Sequence, residues 1–313
     1  MGKLQHFVSR SYLRPWATDE KIHCLQDGRF FKPNIRNVGA ENYFYRLREL
    51  SPEDVVFLRE ALINDSPAGL KASHEELINA FTLPYRLKSE LKELGIENTE
   101  AMAVIDRMII QLNEDFHTNI EQDFQPYLAA MISGSLEFLA DAKETATFYR
   151  GLSVQYARTN HIKQSRLIMN PERLALYQRV ANPLVHILSI NVGLSLYAER
   201  SRHTVMLVDN FTAVPFVTGD QPVINIATGP RDTDTPARFE LYYPVSPTRA
   251  MLLLEPSSEF LPSASSVSET FVHLYNLRMA AHSYRQVFSN SLQPLESIRD
   301  NLTAYLSCFP AKD

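Results

Sequence analysis

The chain has 313 residues, enough to bury a substantial core as one large domain or two ordinary ones. Its 45% hydrophobic and 21% charged content is ordinary for a globular protein, and a net charge of −5 argues against wholesale wrapping of nucleic acid while leaving room for a local basic groove. Two cysteines, Cys24 and Cys308, supply neither a disulfide framework nor a metal-ligand spacing, which fits a reducing compartment.

The opening stretch MGKLQHFVSR has no apolar h-region, so no secretory leader is expected, and a myristoylation signal would want Ser or Thr where His6 stands. Runs 21–25 and 29–32 flank Gln26-Asp27-Gly28, and an Asp-Gly pair between strands predicts a β-hairpin. Segment 34–45 is irregular and ends in Tyr43-Phe44-Tyr45. Ser51-Pro52-Glu53-Asp54 starts a helix to about 63: Ser caps, Pro takes the first helical position and acids fill the first turn. Ser73 with Glu76 resembles a capping box, and helices over 74–95 are expected to break near Pro84 and stop at Gly95. Thr99 opens a helix to about 123, followed by helices over 126–139, 144–169 and 171–200, the last with a bend at Pro183. The most apolar run, 183–198, contains His186 and Asn191 and is too short to span a bilayer; a buried helix and no membrane partner are expected.

From residue 204 the pattern changes. Runs 204–208, 213–217, 223–226, 239–243 and 251–254 are short, β-branched or aromatic, and bounded by turn residues. They predict a small antiparallel sheet, which the early hairpin is a candidate to join. Helices over 264–283 and 295–306 close the chain. The expected fold is α+β, predominantly helical, in a single domain. Within the strand region, Gly219 in Thr218-Gly219-Asp220-Gln221-Pro222 can take positive φ, and Asp220 then stands at a tight turn. It reads either as a turn-capping residue or as a site carboxylate on a rigid scaffold.

Helix 144–169 carries an unusual face. At 100° per residue, Phe148, Leu152, Gln155, Arg158, Thr159, Ile162 and Arg166 share one arc, so long polar side chains lie where apolar ones should bury. A buried guanidinium needs a partner, either a structural carboxylate or a bound anion gripped by its bidentate fork. Elsewhere the chemistry-bearing patterns are absent: no Walker A, GxSxG, HExxH, CxxC or GxGxxG sequence occurs. Glu90-Leu91-Lys92 reads as a solvated helix face, and the Arg179/His186 spacing as a core histidine rather than a ribonuclease pair.

An ordered set of short motifs resembles the bacterial family of domains of unknown function DUF4238. The matching pieces are Gln5-His6-Phe7-Val8-Ser9-Arg10-Ser11-Tyr12-Leu13-Arg14, segment 41–45, Gln155-Tyr156-Ala157-Arg158-Thr159, Thr218-Gly219-Asp220-Gln221-Pro222, Tyr242-Tyr243-Pro244-Val245-Ser246-Pro247 and Asn276. Two departures stand out: the family usually shows Pro where Ser9 and Asn160 stand, and without the second Pro the helix is expected to run through Arg158. The resemblance implies a bacterial, cytoplasmic protein of the kind carried as mobile-element cargo in defence against phage, with no settled chemistry.

The motif residues suit nucleic-acid or nucleotide chemistry. His6 or Asp220 would act as general base and Arg158 as a catalytic phosphate clamp, with Arg10, Gln155 and Arg166 binding the substrate. A nuclease or other hydrolase is one reading; a non-catalytic sensor or partner-binding protein, using the same residues to hold a ligand or to staple the fold, is the other. No residue pattern specifies a metal, a cofactor or an oligomeric state.

Overall fold

The computed structural model describes residues 3–168, 173–230, 232, 236–262 and 265–309, and of 165–168 the backbone alone. It is an α+β fold, mostly helical, with small antiparallel sheets. The N-terminal segment forms β1 (Leu4–His6), α1 (Arg10–Leu13), the hairpin β2 (His23–Gln26) and β3 (Arg29–Phe31), and β4 (Ala40–Asn42). Asp27 and Gly28 both take positive φ, 51° and 74°, which gives the hairpin the twist its strands require. Next come α2 (Pro52–Leu58), α3 (Ala68–Glu93), α4 (Thr99–Ser133), α5 (Ala142–Ala157), α6 (Asn160–Ile168) and α7 (Leu174–Ala198). Ser51 and Asp54 close a full capping box at the start of α2.

Two expected helix breaks do not occur. Pro84 lies inside α3 and Pro126 inside α4. Proline removes one helical bond and crowds the preceding turn, at roughly 3 kcal/mol. Burial of Leu77, Ile78 and Phe81 on α3, and of Phe124, Leu128 and Met131 on α4, outweighs that loss. The reverse holds at Arg158. A continuous helix was expected there, yet α5 ends at Ala157 and α6 restarts at Asn160. The Tyr156 carbonyl, which a continuous helix would bond to residue 160, instead accepts from Gln221 Nε2 at 2.9 Å.

The strand region splits between two sheets. β5 (Thr204–Asp209), β9 (Arg249–Leu254), β8 (Leu241–Ser246) and β7 (Ile224–Asn225) form one antiparallel sheet in that spatial order. β6 (Thr218–Gly219) leaves it and pairs with β10 (Gln286–Ser289), which pairs on its other side with β2 of the hairpin. The hairpin therefore joins a sheet with β6 and β10 rather than the β5–β9–β8–β7 sheet. The expected strand over 213–217 is irregular backbone. Gly219 does not take positive φ; it is required because a Cβ would overlap Ser283 Oγ and lie 3.1 Å from the Gln286 carbonyl. α8 (Glu269–His282) and α9 (Gln293–Ser307) pack on this side.

The core around Tyr12, Trp16, Phe124, Phe148 and Tyr243 joins the N-terminal segment, α4, α5 and β8. Tyr12 carries much of that joint: its ring stacks on Tyr243 at 5.1 Å, and its hydroxyl bonds Thr218 Oγ1 at 2.6 Å and the Pro244 carbonyl at 2.7 Å. Among the described residues, α7 is the one helix long and apolar enough to cross a membrane, because it extends N-terminally of the apolar run 183–198; half of its most apolar window is buried inside the fold.

Candidate functional site

A cleft of about 390 Å³ opens between the N-terminal segment and α4. His6, Ser9, Arg10, Ser11 and Arg14 line one wall; Glu114, His117, Thr118, Glu121, Gln122 and Gln125 line the other, with Tyr45 between. Gln5 fastens the two walls. It is fully buried, donates to the Ile110 carbonyl at 2.9 Å and to Glu114 Oε2 at 3.2 Å, and accepts from the Tyr45 amide at 2.7 Å. The Lys3–Glu114 ion pair and the Gln125 Nε2–Ser11 Oγ bond at 2.8 Å fasten the same two walls, so the spacing of His6 from α4 is held on both sides of it.

The tautomer of His6 is set by its neighbour. Nε2 lies 3.0 Å from the Arg36 carbonyl, which can only accept, so Nε2 carries the proton and Nδ1 keeps the lone pair when the ring is neutral. Burial lowers the imidazole below its ordinary value and Arg10 adds to this, while the Arg36 carbonyl, Glu121 and Glu114 pull the other way. The ring is thus a neutral base at pH 7. Arg10 is exposed and, among the described residues, in no ion pair.

Arg158 lies behind this cleft rather than in it. Only 1% of it is exposed; its guanidinium pairs with Glu121 and donates to Gln155 Oε1 at 2.9 Å. Burial opposes its charge, but Glu121 and the Tyr45 phenol outweigh burial and hold it above the ordinary arginine value. Among the described residues Nε has no hydrogen-bond partner. Arg158 therefore touches the cleft through two residues that line it, Glu121 and Tyr45.

Asp220 is placed elsewhere. Its carboxylate accepts from the backbone N–H of Tyr284 at 2.7 Å, Arg285 at 2.8 Å and Gln286 at 3.0 Å, and so fixes the turn between α8 and β10. The three amides favour the carboxylate, but burial outweighs them and pushes its pKa up to about 6. Its neighbour Gln221 accepts from the Thr159 hydroxyl and donates to Tyr156, so the two family-like motifs meet at the α5–α6 break. His6 and Arg10 thus line one wall, Gln155 and Arg158 lie behind Glu121 of the opposite wall, and Asp220 does not line that cleft. The side chain of Arg166 lies outside the described residues.

The sequence reading missed Glu114, His117 and Glu121. The signal was present: positions 114, 117, 118, 121, 122 and 125 are all polar and recur at helical spacing on α4. His117 in the wall, and His186 and Asn113 behind it, are buried with polar atoms that find no hydrogen-bond partner among the described residues, so His186 sits in the core as expected but is not satisfied there. Arg179 instead holds Asp54 in a two-pronged pair at 2.7 and 2.8 Å. Among the described residues no cluster of three or more His, Cys, Asp or Glu has metal-site geometry.

A helical α+β protein with a polar His/Arg/Glu cleft at its N-terminal joint is the class these features define. The chain belongs to the family described as protein of unknown function (DUF4238), whose model matches residues 4–293. No curated protein and no solved structure matches it significantly.

Proposed function

We propose that the protein is a cytoplasmic effector of bacterial defence against phage, and that its N-terminal cleft takes a phosphate-bearing ligand, a nucleotide or a nucleic-acid end. One observation carries this reading: a histidine with its tautomer fixed shares a polar cleft with an arginine, and among the described residues neither Nδ1 of the one nor the guanidinium of the other has a partner. Nδ1 accepts the proton of an attacking water while Arg10 neutralises the phosphoryl oxygens, the pairing of base and anion clamp that hydrolysis of a phosphoester needs. Arg158 is a positioning residue, holding Glu121 in the wall. A cleft of about 390 Å³ suits one nucleotide, in keeping with a net charge of −5 that does not favour a long polyanion groove. The defence setting rests on the resemblance.

A second reading has its own support. Arg158 is buried and paired, and the Asp220 oxygens are taken by backbone amides, as expected of residues that staple a fold around a ligand-sensing pocket. Phage yield and the RNA, DNA and nucleotide pools in cells expressing wild type, His6→Gln or Arg10→Ala separate the two. Degradation of one pool that disappears in both variants supports the hydrolase. Protection with every pool intact leaves the sensor.

A further inference from the structure

A second cleft, of about 920 Å³, opens around Lys163 on α6 and is separated from the first by the pair Phe44–Tyr45. Lys163 Nζ sits 3.4 Å from the centroid of the Phe44 ring and donates to Asn182 Oδ1 at 2.8 Å. Among the described residues no carboxylate comes within ion-pair distance of it. The nearest acid in its field, Glu41, is held by Asn160 Nδ2. Burial therefore pushes the amine down to about 7, with Glu41 pulling weakly upward. The other titratable groups in its field are His117 and His186, both buried and lowered by it. Lys163 is thus a buried amine with no carboxylate partner among the described residues, facing a cleft large enough for an organic ligand.

Two further cations stand at the rim: Arg46 and Arg48 are exposed, and no carboxylate lies within ion-pair distance of either among the described residues, although the acids Glu41 and Glu49 line the same cleft. Tyr43 presents its ring there with the Arg46 guanidinium 5.9 Å from its centroid, held by a backbone at φ 57°. Positive φ is unfavourable for a tyrosine, and such backbone collects where a side chain must be aimed.

We propose that this cleft is a separate binding site for a nucleoside monophosphate or a closely similar organic phosphate. Its phosphate is the counter-ion of Lys163, with Arg46 and Arg48 at the mouth, and its flat ring stacks on Tyr43. The site is distinct from the His6–Arg10 cleft and does not depend on the reaction assigned there.

Calorimetric titration with adenosine monophosphate and with pyrophosphate, in the Arg10→Ala background so that the first cleft is silent, tests it. At pH 8 the free amine is mostly neutral while the nucleotide phosphate is a dianion, so binding should take up close to one proton, read from the buffer dependence of the heat. Lys163→Met should weaken binding by about tenfold or more. Lys163→Arg should bind within about threefold of its parent but without proton uptake, since arginine stays charged. Tyr43→Ala should lower the affinity for adenosine monophosphate and leave pyrophosphate unchanged. Melting temperatures establish that the variants fold; if Lys163→Met does not, the loss of proton uptake in Lys163→Arg still decides. The proposal falls if neither ligand binds at millimolar concentration, if Lys163→Met binds like its parent, or if binding takes up no proton. Pyrophosphate binding as tightly as adenosine monophosphate overturns the assignment of the ring.

Discussion

The Asp220 turn and the His6 cleft are built from equally polar residues and have opposite character. At the turn every polar group is spent. Asp220 takes three amides, Gln221 bonds Thr159, Tyr156 and Val223, and Thr218 bonds Tyr12. At the cleft, groups are left over among the described residues: Nδ1 of His6 and the Arg10 guanidinium make no hydrogen bond or ion pair, and the buried His117 in the opposite wall keeps an unpartnered nitrogen. A satisfied network is stiff and contributes stability, while spare hydrogen-bonding capacity in an open cleft is what a ligand can use. The difference separates fold-holding polar residues from ligand-facing ones more sharply than residue type does.

The comparison breaks most visibly at Asp220. Asp220→Ala leaves three part-buried N–H groups without their acceptor, and at about 1 kcal/mol each, the low end because water can reach them, the loss should be about 3 kcal/mol. In a chain of 313 residues, with an unfolding entropy of about 2.1 cal/mol/K per residue, that lowers the melting temperature by roughly 5 °C. Asp220→Asn keeps one good acceptor and should fall between. A variant that melts like wild type yet loses phage protection would instead make Asp220 a site carboxylate.

Next is Arg158→Met, which strands Glu121. Breaking a buried pair costs about 3–5 kcal/mol, and since the Glu121 side chain is 23% exposed, about 2–3 kcal/mol is expected. Adding Glu121→Gln should recover much of it in urea melts. If the double variant is no more stable than the single, the pair does not carry the packing.

How far the sequence exposed all this depended on how local each cause was. Asp27-Gly28 and Ser51-Pro52-Glu53-Asp54 were legible because a turn and a capping box are settled within a few residues. The Arg158 break was not, because it depends on Gln221, sixty-five residues beyond the carbonyl it captures. The exchange of β6 into the sheet of β10 was hidden for the same reason: the 213–217 run looks strand-like, and only the pairing Val287↔Gly219 shows which residues the ladder uses. Of the candidate site, the polar face with Gln155 and Arg158 was read correctly as needing a partner. The partner, Glu121, lay on a helix read mainly for its apolar positions. Asp220 had two readings open, and only the three amides of 284–286 favour the capping one.

A third test uses pH. Burial lowers His161 to about 4 and His186 to about 3, so between those values and 6.5 the unfolded chain holds protons the native one does not. Stability therefore rises with pH across this window and is lost as pH falls below 6.5. For His186 the loss at pH 5 is about 2 kcal/mol. Asp220, raised from 3.8 to about 6, acts in the opposite direction, since the native form holds its proton more tightly over that interval. Urea midpoints from pH 7.5 to 5 should fall for wild type and fall less for His186→Leu. An unchanged slope in that variant would mean that burial does not hold His186 below its ordinary value.

The smallest effect on stability is expected at the residue with the largest expected effect on function. His6 is half-buried, and its one fixed contact is Nε2–H to the Arg36 carbonyl. In His6→Gln the amide nitrogen can make the same donation, so stability should stay within about 0.5 kcal/mol of wild type. What the amide lacks is a basic nitrogen in place of Nδ1. If the cleft is catalytic, turnover of its phosphate substrate should vanish in His6→Gln while binding through Arg10 survives. In wild type, turnover should rise with pH to an inflection below 6.5, because burial and Arg10 lower the imidazole. If the cleft only senses its ligand, His6→Gln binds and protects like wild type, and Arg10→Ala alone abolishes both. The two variants together thus separate proton transfer from anion recognition within one wall, at a position where the fold itself contributes almost nothing to the readout.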